Sequence, residues 1–419
     1  MSTLSTNRPA ARTAVRRLAA GRLISVTGGA AAYTALNFTV WDRTHSPGMQ
    51  ALSLLLTFGV AGILGPFAGA LGDRFDRRRV MIISEAVAAA FFAAMAFADD
   101  PGLLIALAFG SALAEQPFYS ASRAAIPNLV EREEDISWAN SLVTVGVNAG
   151  IAVGPVIGGV LLGLTSARWV FAINAVSFVV SLLVTISVRA RFHAERSEDE
   201  GYHGLTAGLR FLWNDRVLRR ISIAWVVFLL GMGMSMVADA PLAEFFDAGG
   251  MGFGLLIACW GGGSVLGSAA GRWMTERSEP AWLVAGSIGV ALTSLGVGFA
   301  PAFPVVLASL LLMGTCDGLT IVAENGIMQR RTPDAVRSRT MAGFESVLSF
   351  GLVVAYLFAG PVLNALGPRG VYRVGGLAGA AAALVLLPML RLRRVARGDR
   401  IADPGRELVA EPVPVERVG

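Results

Sequence analysis

Residues 69–79 read Gly-Ala-Leu-Gly-Asp-Arg-Phe-Asp-Arg-Arg-Arg, four arginines and two aspartates placed between long apolar runs. Charge this dense between segments that avoid charge marks a polar turn, so its meaning depends on what flanks it. The chain is 54% hydrophobic and 16% charged with a mean hydropathy of +0.60, the balance of a protein solvated mostly by lipid. Apolar runs of about 18 to 25 residues can cross a bilayer as helices. Twelve are expected, near 18–41, 49–71, 80–98, 102–119, 139–164, 168–188, 220–240, 251–272, 281–299, 302–324, 341–366 and 371–390. The basic, acid-free start is followed by no short apolar region with a small-residue cleavage site, so the first span reads as an uncleaved anchor.

All 35 basic residues are arginine. Without lysine there is no Walker A loop and no Schiff base, which removes the ATPase half of a pump. The histidines, His45, His193 and His203, fall in expected loops, and Cys259 and Cys316 within apolar helices. That leaves no intramembrane Ser-His pair and no imidazole cluster, so neither an enzyme, a metal nor a cofactor is expected. Short arginine-rich loops stay cytoplasmic. With the N-terminus inside, the opposite side holds only Arg43, Arg168, Arg369 and Arg373. Residues 69–79 then become the cytoplasmic turn between spans 2 and 3. Topology accounts for the arginines there but not for the acids or for Gly69 and Gly72.

The chain also repeats itself. Pro127 and Pro155 are 28 residues apart, as are Pro333 and Pro361, and both intervals end in Gly-Pro, Gly154-Pro155 and Gly360-Pro361. The offset of 206 is close to half the chain. Two parallel six-helix halves follow, 1–189 and 220–390, with a linker at 190–219 and a basic tail at 391–419. Parallel repeats in a membrane protein indicate a transporter with its site between the halves.

Gly69, Leu71, Gly72, Asp73, Arg74, Arg77 and Arg78 resemble the loop between helices 2 and 3 of the major facilitator superfamily, with Asp76 where that loop carries its second glycine. Gly150, Gly154, Pro155, Gly158 and Gly159 in span 5 are similar to the motif of its drug-proton antiporters. "DRFDRRRVMIISE", "AAIPNLVEREEDISWANSL" and "GLTAGLRFLWNDRVLRR" look most like the branch of the enterobactin exporter and the macrolide-efflux proteins. The resemblance implies an all-α major facilitator fold and alternating access. It also implies that Asp73 engages the N-terminus of span 11 to hold the inner gate shut, and that the span 5 motif favours export. Leu205, Leu209 and Leu212, at helical spacing in the third stretch, suggest an amphipathic helix on the inner membrane surface with its arginines toward lipid headgroups.

An acid inside a span is costly unless partnered or hydrated, so each is a coupling candidate. Asp317 falls mid-way along span 10 with Glu324 seven residues later, and Glu115 lies in span 4 one turn after Ser111. The plain alternative pairs Glu115 and Glu324 with Arg123, Arg330 or Arg331. Glu85 and Glu345 sit nearer the cytoplasmic ends, where ion pairs are expected, and Asp42 and Asp239 read as external interface charges. In the resembled fold spans 1, 4, 7 and 10 line the cavity. That nominates Tyr33 and Asn37, with Trp225, Phe228, Met232, Met236 and Asp239 at spacings of three or four, although such a stripe also suits helix packing. Arg22 is the one arginine near the cavity, which disfavours strongly anionic substrates. The expectation is a monomeric, proton-coupled exporter of a small, largely hydrophobic drug, siderophore or secondary metabolite in the inner membrane. Its partners are substrate, protons and lipids, with no nucleic acid. Uptake, uniport, or a transport-dead sensor of the same fold are the alternatives.

Overall fold

Hydrocarbon offers the backbone no hydrogen-bond partner, so an open chain crosses it only as helix. In the computed structural model the described residues, 8–60, 63, 75–129, 133–188 and 204–394, are helical almost throughout and contain no strand. The first group comprises α1 (Arg8–Thr44), α2 (Pro47–Leu54), α3 (Arg77–Met95), α4 (Pro101–Leu129), α5 (Glu133–Leu164) and α6 (Ala167–Ser187). After α7 (Gly204–Asn214) come α8 (Arg216–Phe245), α9 (Gly249–Ala270), α10 (Glu279–Phe299), α11 (Phe303–Arg331) and α12 (Asp334–Leu386). Eight of these are long and apolar enough to cross a membrane, α12 among them. Expected spans 3 and 4 coincide with α3 and α4, α12 supplies two, and α2 with the π-helical turn Leu55–Val60 begins the second, whose remainder lies almost wholly outside the described residues.

That doubling follows from one residue. A straight helix of 53 residues would run about 80 Å, far beyond the hydrocarbon core. Gly367 breaks it with φ 68° and ψ 173°, a conformation open to glycine, and Pro368 restarts the helix where its missing N–H costs nothing. Elsewhere short polar residues set the helix starts. Ser46 caps α2, Asp76 accepts from the Arg79 N–H at 2.9 Å to begin α3, and Asp100 accepts from Leu103 at 2.7 Å to begin α4.

Helices α1, α3, α4, α5 and α6 pack on one another, as do α8 to α12, and the two groups meet along α5 with α9 and along α2 with α12. The surface is apolar: Leu164, Val176, Leu292, Phe350 and Leu384 are exposed, as lipid-facing positions require. The amphipathic helix expected in the linker is α7. Leu212 is fully buried and Leu209 lies against Gly343 of α12, so the apolar stripe is covered by the bundle while Arg210 faces outward. The side chain of Leu205 lies outside the described residues. The Arg12 face carries the start of α1 and α8, and the His45 face carries the α1–α2 turn.

Candidate functional site

Between the two groups lies a cavity of about 420 Å³, walled mainly by α1, α4, α5, α8, α9 and α11. On the first wall α1 presents Arg22, Tyr33 and Asn37 at intervals of whole turns. The Tyr33 hydroxyl donates to Glu115 Oε1 at 3.1 Å and Ser111, one turn before Glu115 on α4, donates to the same oxygen at 3.3 Å. Arg22 lies over the Phe118 and Tyr119 rings at 4.9 and 5.1 Å, and its charge acts on Glu115 and Glu85. Asn37 accepts from the side chain of the fully buried Gln50. Glu85 takes hydroxyl partners, Ser181 and Thr185, where an ion pair was expected.

The facing wall is built by α8. Met232, Met236 and Asp239 line the cavity, with the Tyr372 hydroxyl of α12 donating to Asp239 Oδ1 and the Tyr356 hydroxyl on Met236 Sδ at 3.6 Å. Trp225 and Phe228, expected here, are not in this wall. They share the α8 stripe, but toward the Arg216 end that stripe is covered by α10, α11 and α12, where both line a separate crevice with Leu283, Ser287 and Thr320. Asp239, read from sequence both on this stripe and as an external interface charge, is buried in the cavity wall. The signal was present in its place on the Met232–Met236 stripe, three residues further on.

Asp317 and Glu324 lie off the cavity. Leu310 and Met313 of α11 line it, and the two acids continue the same helix face toward the Arg12 end. Asp317 is buried with Oδ1 unpartnered among the described residues, and Glu324 is buried beyond it. Of the arginines in the alternative pairing, Arg330 pairs with Glu279 and Arg331 with Asp215 at 2.9 Å, and the side chain of Arg123 lies outside the described residues. Of the charged turn, Gly69, Gly72, Asp73 and Arg74 lie outside the described residues. Arg77 and Arg78 open α3, and Arg78 donates to the Ile186 carbonyl at 2.6 Å near the end of α6.

The α5 glycines divide by neighbour. A Cβ on Gly154 would lie 2.6 Å from the Thr27 carbonyl oxygen, and those on Gly150 and Gly158 would press on Val26 and Ala31, so all three seat α5 on α1. Gly159 instead meets the backbone of Gly254 on α9, in the other group, while Pro155 faces the cavity. At the same face the Trp41 indole donates to Glu244, and His45 Nε2 lies 3.1 Å from the other oxygen of that carboxylate. Gly360 lies against Pro47 and Gly48. The cavity is thus closed toward the His45 face. Near the Arg12 face each hydrophobic cluster stays within its own group, Val15, Met81 and Phe118 in one and Leu218, Ile327 and Phe344 in the other. Outside the membrane on the His45 face, the Arg168 hydrogen bond and charge hold the Asp99 carboxyl below its ordinary range.

A family model described as transmembrane secretion effector matches residues 4–416. The enterobactin exporter EntS of Shigella boydii serotype 18 is 25% identical over 334 residues, 78% of this chain and 79% of its own length. The same exporter of Escherichia coli is 24% identical over the same span. Among solved structures, the nucleoside transporter NupG matches with a TM-score of 0.71 at 13% identity, covering 90% of this chain and 99% of its own. A bacterial homologue of the human lysosomal transporter Spinster, inward-facing and unoccupied, gives 0.71 at 13% identity, covering 93% and 97%. At such identities the structural likeness shows the fold alone.

Proposed function

Because the chain belongs to the transmembrane secretion effector family of major facilitator transporters, we propose that it exports a small, largely hydrophobic compound in exchange for protons by alternating access. The observation that carries this reading is a carboxylate-bearing apolar cavity between two helix groups, sealed at one face by contacts that cross from group to group. We take the groups as rocking halves, 1–189 and 220–390, and the arginine-rich Arg12 face as cytoplasmic in an inner membrane. The relatives named as enterobactin exporters favour export over uptake. No catalytic role is assigned to any residue.

Protons need a path as well as a gradient. Glu115 meets the cavity directly, while Asp317 and Glu324 extend from its wall toward the Arg12 face, so these three are the coupling candidates. The test is proton-driven transport of a hydrophobic dye by the purified protein in vesicles. A gradient should drive accumulation, and Asp317→Asn or Glu115→Gln should uncouple it while passive exchange continues. Equal flux with and without the gradient in the unaltered protein would make it a uniporter, and binding with no flux at all a sensor.

A further inference from the structure

Among the described residues the cavity holds two carboxylates, Glu115 and Asp239, and one guanidinium, Arg22. The carboxylates are not equivalent. Glu115 shares its surroundings with Arg22, whose positive charge reaches it, and takes two further hydroxyl hydrogen bonds. Asp239 is buried at the far wall and forms neither a salt bridge nor a hydrogen bond with any basic side chain among the described residues. Its neighbours are Tyr372 and Tyr356 of α12 and its own helix's Ser235 and Met236, which are neutral, and across the cavity stand Tyr33 and Asn37. A buried carboxylate with one hydroxyl partner and no counter-ion is disfavoured as an anion on its own and would be stabilised in that form by a cation entering this apolar, methionine-rich and aromatic space.

We propose that Asp239 docks the positively charged group of the transported compound, so that the substrate class is a monocationic amphiphile whose apolar body rests on Met232, Met236, Trp260 and Phe58. This rests on the transport reading above and narrows it. The cavity volume of about 420 Å³ fits a compound of drug size, and polarizable methionines accept varied apolar shapes. Arg22 stands at the other end of the cavity over the Phe118 and Tyr119 rings, and its charge is balanced in part by Glu115 and Glu85, on which it acts. A polyanionic chelator is the wrong sign for a cavity carboxylate with no basic partner among the described residues.

Binding of ethidium, a monocation, of neutral phenanthridine and of anionic fluorescein is measured on the purified full-length protein without any gradient. The unaltered protein should bind ethidium at least about tenfold more tightly than fluorescein. Asp239→Asn should weaken ethidium roughly 30-fold or more, the scale of removing one member of a buried charge pair, and phenanthridine less than about threefold. Tyr372→Phe keeps the carboxylate and should leave the preference for ethidium over fluorescein in place, which guards against a folding defect peculiar to Asp239→Asn. Fluorescein binding as well as ethidium, or an Asp239→Asn protein that keeps ethidium within threefold, overturns the proposal. The outcome is separable from the transport reading, since cation binding with no driven flux defeats export alone, and driven flux of neutral dyes with no charge preference defeats this inference alone.

Discussion

Glu115 and Asp317 are both buried carboxylates in membrane-spanning helices, and what meets each of them differs. Glu115 accepts from Tyr33 and Ser111 beside Arg22, so Glu115→Gln replaces an acceptor with an acceptor and should fold normally. Asp317 keeps an oxygen with no partner among the described residues, at a cost of about 1–3 kcal/mol for a buried polar atom. Such a defect persists where function needs it. Asp317→Asn should therefore abolish gradient-driven transport and leave the melting temperature unchanged or higher. A variant that loses transport together with a lower melting temperature would make Asp317 a structural residue.

At the scale of elements, close approach is bought with glycine, and the α5 glycines predict two different failures. Gly154→Leu wedges α5 from α1 inside one group, so it should destabilise the protein by about 1–3 kcal/mol and cut transport more than leucine at a lipid-facing site such as Val160. Gly159→Leu meets Gly254 across the seam and should spare folding while preventing closure at the His45 face. A melting curve beside an exchange assay separates them. Gly367→Ala has open space for its methyl group, so only backbone strain opposes it, again about 1–3 kcal/mol, read as lower thermal stability. These elements were largely legible in sequence, because hydropathy declares a span and Gly-Pro declares a special contact whatever the partner. What covers a stripe was not legible. Trp225, Phe228, Met232 and Met236 share one face of α8, and only the tertiary arrangement decides that the first two are packed over while the last two meet the cavity. Leu209 and Leu212 likewise announced a buried face without saying whether lipid or α12 would bury it. Asp239 had two readings in sequence, on this stripe and as an end charge, and only its depth, set by how far α8 extends, to Phe245, places it in the cavity wall.

The molecule as a whole is held closed at one face, and the contacts responsible are few enough to alter singly. Glu244 receives the Trp41 indole and faces His45, so one carboxylate joins α8 to the end of α1 and the turn beyond it. It is half exposed, which discounts the His45 pair, and the indole hydrogen bond to a charged acceptor contributes more. Together about 1–2 kcal/mol favours closure, so Glu244→Ala should move the closed-to-open ratio roughly 5- to 30-fold toward opening at the His45 face. The readout is a cysteine at Ser235, in the cavity wall, with Cys259 and Cys316 replaced by alanine. Its labelling by an impermeant maleimide applied from the His45 side should rise by that factor. The charged turn at 69–79 is expected to hold the opposite face, so Asp73→Asn should lower the same labelling by favouring opening at the Arg12 face. Because both substitutions act on one equilibrium, their free energies should add, and the double variant should label close to the unaltered protein. Labelling that rises in Glu244→Ala and is untouched by Asp73→Asn in either background would leave the His45 closure standing and remove the gate role of the turn.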